Sequence, residues 1–451
     1  PAPDLDTPFH YLVVDIKFST LHLDPNGELK NGGSAAAYKP QLYIYNRALG
    51  RLQGHEPPHS LLLGRSWDQR VGGETLRGTS CLDRLAHIPQ AGSLANKVPI
   101  AQAVEESTAW LRRARTEGAS WDVTPTPTVP QLYPNMTNDQ DGPWHTAKKQ
   151  LAEALGELTL LWQVGVAKRA RAHEAGVTDW RDPACTPDIV GVTGAKQAPK
   201  LAAILQANRT TTGPIVSPPH IEAARSQWHP EPPLEFYVDF ETVSDLADTF
   251  TQLPQRGGQT LIYMIGCGHI EDDEWQFTSF TVDALTEPEE ARIIDHWFDH
   301  MAEVRARLAP GEPHEPGPPV IHWSPAEVTT LDTAHNSARN RQPGPGWPQL
   351  HWFDFLTRVV RAEPVTVRGA MGFNLKDVAR AMHNHGLIQT VWRDGPTDGL
   401  GAMVGAWWAQ NSATTLGHPL SQDALMLEIA QYNEVDCKVM MEIIRYLRQN
   451  H

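Results

Sequence analysis

Cysteine is scarce: four residues, Cys81, Cys185, Cys267 and Cys437, are scattered over 451 positions. No two stand closer than 82 residues, and no CxxC pair exists. A zinc ribbon or a four-cysteine iron–sulfur site within this chain is thereby excluded, and no iron–sulfur cluster is expected. Sparse thiols fit a reducing cytoplasm. Long apolar runs are missing too. None approaches the ~18–20 residues of a membrane helix, so no membrane partner is expected. Basic charge is in deficit, with 38 Lys and Arg against 53 Asp and Glu, a net charge of −15. A generally basic nucleic-acid coat is excluded. Any contact with nucleic acid must use a local basic patch, or metal ions that offset local carboxylates. The 34 glycines and 37 prolines imply many loops without any collagen-like period.

The length fits two to four domains at ~100–200 residues each. Residues 1–75 read as strand, turn, helix and strand. Residues 76–225 are helical and loop-rich. Residues 226–451 alternate strands and helices after the Pro-rich stretch Ser217–Pro233. The expected fold class is α/β. The chain opens on Pro1 and enters a strand pattern within ten residues, so a missing N-terminal part is expected.

The first chemical constellation lies in His10–Ser19, HYLVVDIKFS. At a period of two, Val13, Asp15 and Lys17 share one face, and Val14 and Ile16 the other. An acid and a lysine inside an apolar segment need a partner, because burying unpaired charge is costly. A divalent metal with a positioned water supplies one. The segment Ala35–Gly50 reads as a helix with Pro40 in its first turn and Gly50 as C-terminal cap. Gln41 and Tyr45 then stand at i, i+4 on one face.

The second constellation begins at Leu234–Thr242, LEFYVDFET, where Asp239 and Glu241 share a strand face. Two such carboxylates repel unless a cation lies between them. Strands are expected at Leu261–His269, Trp275–Val282 and Pro319–Trp323, and helices at Pro288–Leu308 and Ser421–Asn450. On the last helix Tyr432 and Asp436 are i, i+4.

D-x-K on a strand, followed by a helix with Q-x-x-x-Y, resembles the RecB-like branch of the PD-(D/E)XK nucleases. That resemblance implies that Asp15 binds metal, that Lys17 is catalytic, and that Gln41 and Tyr45 support the site or touch DNA. It places a further acid at Asp4, with Asp6 as competitor. D-F-E-T and Y-N-E-V-D resemble the first and third motifs of the RNase H-like DEDD exonucleases, in the variant with tyrosine. Asp239, Glu241 and Asp436 would then bind two Mg²⁺ or Mn²⁺ ions, and Tyr432 would orient the attacking water. The second motif falls on Glu327, beside His322, with Asp354 as the substitute. Lys376, in GFNLKDVARAM, resembles a segment of related domains and is either structural or phosphate-facing. Leu158–Asp182 resembles a helix-hairpin-helix unit. Gly165 opens a helix whose Lys168, Arg169 and Arg171 would meet phosphates, and residues 189–208 form a weaker second copy. The order of parts resembles RecB-family nucleases with a C-terminal RNase H-like domain. The expected partner is nucleic acid, DNA ahead of RNA. A non-catalytic scaffold on decayed nuclease folds and an RNA-trimming exonuclease using only the C-terminal domain are the competing readings.

Overall fold

A computed structural model describes residues 1–78, 83–95, 97–138, 141–243, 260–311, 317–336, 347–392 and 399–451. Cys81 lies outside them. Among the described residues no helix is long and apolar enough to cross a membrane. The described chain divides into two compact units, residues 1–122 and residues 123–451.

The first unit starts with β1 (Val14–Leu23), α1 (Ala35–Gln53) and β2 (His59–Val71). β1 and β2 run parallel, joined through the helix. β3 (Glu74–Gly78) and β4 (Ala86–Pro89) both pair antiparallel with β2, and α2 (Ile100–Glu117) follows. Leu21, Leu42, Leu62, Ile88 and Ile100 form one core. The expected boundary at 75 therefore moves to 122: β3 extends the same sheet, and β4 and the start of α2 are built into its core. The expected C-terminal cap also moves. Gly50 is buried within α1, and the helix runs one turn further, to Gly54 at φ 67°. The period-two reading of β1 is met with its faces reversed in character. Val14 and Ile16 are exposed, 48% and 71%, while Asp15 and Lys17 are half-buried against α1.

The second unit opens with α3 (His145–Leu155), α4 (Val166–Glu174), α5 (Ala198–Arg209), β5 (Val216–Ser217) and α6 (Arg225–Trp228). The central sheet uses β6 (Phe236–Val243), β7 (Leu261–Glu271) and β8 (Glu274–Thr281) as an antiparallel meander. After α7 (Glu287–Leu308) come β9 (Pro319–His322), α8 (Ala326–Asn336) and β10 (His351–Asp354). β9 joins β6 in parallel and β10 joins β9 in parallel, giving the order β10-β9-β6-β7-β8. β11 (Thr366–Val367) pairs with β5, and α9 (Leu375–Asn384), α10 (Gly399–Leu416) and α11 (Ala424–Asn450) complete the unit.

The expected boundary at 225 is not observed. Leu158, Val190, Leu205 and Trp228 share one core with Phe353, Phe373, Met440 and Ile444. Hydrogen bonds stitch the same seam, such as Trp162 N–H to the Met371 carbonyl at 3.0 Å. Residues 123–225 thus belong to the second unit because their apolar face is completed by α9 and α11.

Gly165 does open α4, and Gly176, at φ 82°, follows its end. Arg169, however, is not a phosphate ligand. It is 7% exposed and ion-paired at 3.1 Å to fully buried Glu157, and it also donates to the Tyr133 and Pro134 carbonyls. Of the three cations only Arg171 is exposed. Lys168 is half-buried and donates to the Gln163 carbonyl at 2.7 Å. Arg169→Ala is expected to destabilise the second unit by about 3–5 kcal/mol, because it leaves a buried carboxylate unpaired. Chemical denaturation checks it. A loss under ~1 kcal/mol would mean that the pair contributes little.

Candidate metal centre

β6 is the central strand, and its alternation separates two environments. Phe240 packs on Trp297 of α7, with ring centroids 5.5 Å apart, while Asp239 meets α11. On α11 the four-residue spacing presents Tyr432 and Asp436 together, because one helical turn separates them. Carboxylate oxygens of Asp239, Glu241 and Asp436 lie within 4.8 Å of one another. Asp239 is half-buried; the other two are buried.

Three carboxylates so close raise one another's proton affinity. Burial first, then the charges of Asp436, Glu241 and Glu327, push Asp239 well above the ordinary carboxylate range. Burial and then Asp436 push Glu241 up to about 8. Burial pushes Asp436 up to about 7, against the pull of Lys376 and of the Trp392 indole beside it. Tyr432 is likewise raised, by burial and then by Asp436, so its phenol stays protonated. The donor set is oxygen alone, which suits a hard divalent cation such as Mg²⁺ or Mn²⁺.

Asn433, between Tyr432 and Asp436, was not expected in the site. Its fully buried amide donates to Asp239 Oδ2 at 2.7 Å and also lowers the proton affinity of Glu241. Gly266 on β7 makes the room. A Cβ there would stand 1.7 Å from Asn433 Oδ1. The only sequence signal was the motif itself, Y-N-E-V-D; the glycine that accommodates the amide is 167 positions away.

Glu327 is buried near the cluster and is felt by Asp239 and Asp436, but its own contact is His322, at 3.2 Å. The structure thus brings it beside the three acids without joining it to them. Asp354 accepts from Thr357 N–H at 2.9 Å and is not among the three acids that group together. Lys376, second residue of α9, holds its ammonium 4.9 Å from the centre of the Tyr432 ring.

In the first unit the expected cluster assembles in part. Lys17 Nζ lies 2.9 Å from Asp15 Oδ2 and donates to Gln41 Oε1 at 2.8 Å; Gln41 Nε2 donates to Tyr45 at 2.7 Å. Lys17 also stands 5.1 Å over the Tyr38 ring. Asp4 is misplaced. Its carboxylate sits against Gly54, where a Cβ would be 2.6 Å from it. Gln41 and Gly54 are 13 residues apart on α1, about 20 Å at the helical rise, so Asp4 cannot share a metal with Asp15. Asp6 closes the short turn beside it, at φ 50°. Among the described residues only Asp239, Glu241 and Asp436 group as a three-ligand cluster.

No protein-family model, curated protein or solved structure matches this chain significantly.

Proposed function

We propose that the chain is a metal-dependent nuclease, an exonuclease acting on DNA ahead of RNA, whose chemistry resides in an RNase H-like second unit. The observation that carries this reading is the convergence of Asp239, Glu241 and Asp436 on the central strand of a β10-β9-β6-β7-β8 sheet. An antiparallel meander extended by two parallel strands is the arrangement this class of nuclease would need. Asp239, Glu241 and Asp436 would hold the ions, with Glu327 within reach as a fourth acid. Bound divalent ions would lower the pKa of a coordinated water and offset charge on a phosphodiester. The protein's own part is to fix Asp239 and Glu241 through Asn433 and to keep the Tyr432 phenol protonated as a donor beside them.

The first unit supports a RecB-like reading through its parallel β1-α1-β2 crossover and the Asp15, Lys17, Gln41 and Tyr45 contacts. A second reading, in which only the C-terminal centre works, is favoured because among the described residues Asp15 belongs to no three-ligand group, whereas Asp239, Glu241 and Asp436 form one.

Digestion of end-labelled single- and double-stranded DNA and RNA with Mg²⁺ or Mn²⁺ tests both. Asp436→Asn is expected to remove progressive trimming. Any cleavage that remains should fall ~10²–10³-fold on adding Lys17→Ala, the scale of losing one charge-stabilising donor. Trimming unchanged in Asp436→Asn removes the proposal. Residual cleavage insensitive to Lys17 leaves only the C-terminal centre or none.

A further inference from the structure

Between Asp188 and Glu222 the sequence holds no Asp or Glu, in a chain that carries 53 of them. The cations of that stretch are Lys196, Lys200 and Arg209. Arg209 is used internally, donating to the Trp180 and Cys185 carbonyls. Exposed Lys196 sits in the turn that leads into α5, and half-buried Lys200 lies in the first turn of that helix. The fold adds two more cations. Arg361 follows the single helical turn Leu356–Val360, whose Val359 and Val360 share a core with Leu201 and Ile204 of α5. It stands close enough to Lys200 that, after burial, Arg361 and then Lys196 lower the proton affinity of that ammonium. Exposed Arg171 of α4 lies over the turn at Gly191, where a Cβ would come 3.4 Å from its Nη1.

These four cations differ from the others of the unit in what they touch. Arg181, Arg307 and Arg448 each meet an acid. Arg171, Lys196, Lys200 and Arg361 make no ion pair and no side-chain hydrogen bond among the described residues. Glu363, two residues from Arg361, is taken up by the Glu222 and Ala223 N–H groups, at 2.7 and 2.9 Å. Like charges gathered without acids repel one another, and a polyanion laid across them removes that repulsion.

Resting on the nuclease reading above, we propose that Arg171, Lys196, Lys200 and Arg361 form a docking surface for the backbone phosphates of a nucleic-acid strand, distinct from the three acids of the metal centre. It is the local basic patch that a chain of net charge −15 needs in order to hold a polyanion. Phosphate contacts of this kind carry affinity and position the strand, and they carry no base information.

The test uses the full chain with all four cations changed to Gln, and a double variant, Lys196→Gln with Lys200→Gln. Anisotropy with Ca²⁺ present follows a fluorescent single-stranded oligonucleotide and its duplex over a range of KCl, and Mg²⁺-dependent trimming is followed in parallel. The quadruple variant is expected to bind unrelated sequences more weakly by about the same factor. Its log–log salt slope should fall by ~3, the mark of about four lost phosphate contacts. The double variant should lose about half of that, and it carries the test alone if the quadruple variant does not fold. The probe that loses more is the form of strand the surface holds. An unchanged slope on both probes overturns the proposal whatever the trimming shows. So does equal competition by poly-glutamate, which would make the patch a seat for any acidic polymer. Patch-dependent binding by a chain that trims nothing upholds the docking surface and removes the nuclease reading alone.

Discussion

Asp239→Asn is expected to abolish metal-dependent hydrolysis, by on the order of 10³-fold or more, while raising the melting temperature of the metal-free protein. The two effects share one cause. Burial and three neighbouring acids push Asp239 well above its unfolded-state range. A carboxyl whose pKa is raised on folding favours the folded state in acid, and that contribution is lost as pH rises through the folded pKa. At pH 8, far above the range in which these carboxyls ionise in the unfolded chain, the raised metal-free cluster therefore destabilises the fold. Asparagine keeps the shape, stays neutral at every pH, and can still accept from Asn433 through its own carbonyl. Each kcal/mol relieved is worth about 2–4 °C in a unit of 150–250 residues, and somewhat less in a larger one. Thermal denaturation in EDTA at pH 8, alongside Mg²⁺-dependent digestion, reads both quantities. A variant that is inactive and also less stable would show Asp239 to be a structural residue whose loss damages the fold. That outcome would sink the metal-centre assignment.

What could be read from the sequence was local. Asp239 with Glu241, and Tyr432 with Asp436, are fixed by the two-residue strand period and the four-residue helical spacing, so their pairwise facing needs no tertiary information. The same holds for Gln41 with Tyr45. β7, β8, α7 and α11 lie within a few residues of their expected ranges, because each is long and strongly patterned. Three things were not legible. Asp4 has acceptable spacing to Asp15 along the chain, but the Pro1–His10 segment lies at the C-terminal end of α1, where Gln53 binds the Tyr11 backbone. Arg169 sits in a basic run, and nothing local reveals that Glu157, twelve residues earlier, draws it inward. The boundary near residue 225 follows a real Pro-rich segment. Yet that segment is folded against the end of α11, with Arg448 donating to the Trp228 carbonyl and paired to Glu235. α10 escaped notice for a related reason. It is apolar nearly all round, so it offers no amphipathic stripe, and its small residues Ala402, Ala406 and Ala409 are buried.

Metal affinity at the C-terminal centre should climb steeply with pH between about 6 and 8, and binding should release protons. In the metal-free protein burial and the neighbouring charges push Asp436 up to about 7 and Glu241 up to about 8, and push Asp239 well above the ordinary carboxylate range. At pH 6 a divalent cation must displace protons from these groups; at pH 8.5 most of that cost is gone. The sign follows from the direction of the shifts: raised carboxyls favour the proton over the metal as pH falls, so apparent affinity is lost on acidification. The same competition governs stability. Metal at ~100 times its Kd stabilises by about 2.7 kcal/mol, or on the order of 5–10 °C in a unit of 150–250 residues. That increment should shrink toward zero near pH 5.5. Calorimetric titration with Mn²⁺ in two buffers of different ionisation enthalpy gives the proton count directly, with at least one proton released per cluster loaded at pH 7. Asp436→Asn separates this site from adventitious surface carboxylates, whose ordinary pKa values would give no release at neutral pH. Affinity that is flat from pH 6 to 8, with no proton release, would mean that the ion enters elsewhere. The three acids would then be a buried, self-protonating cluster that stabilises the β6–α11 junction by sharing protons rather than by holding metal.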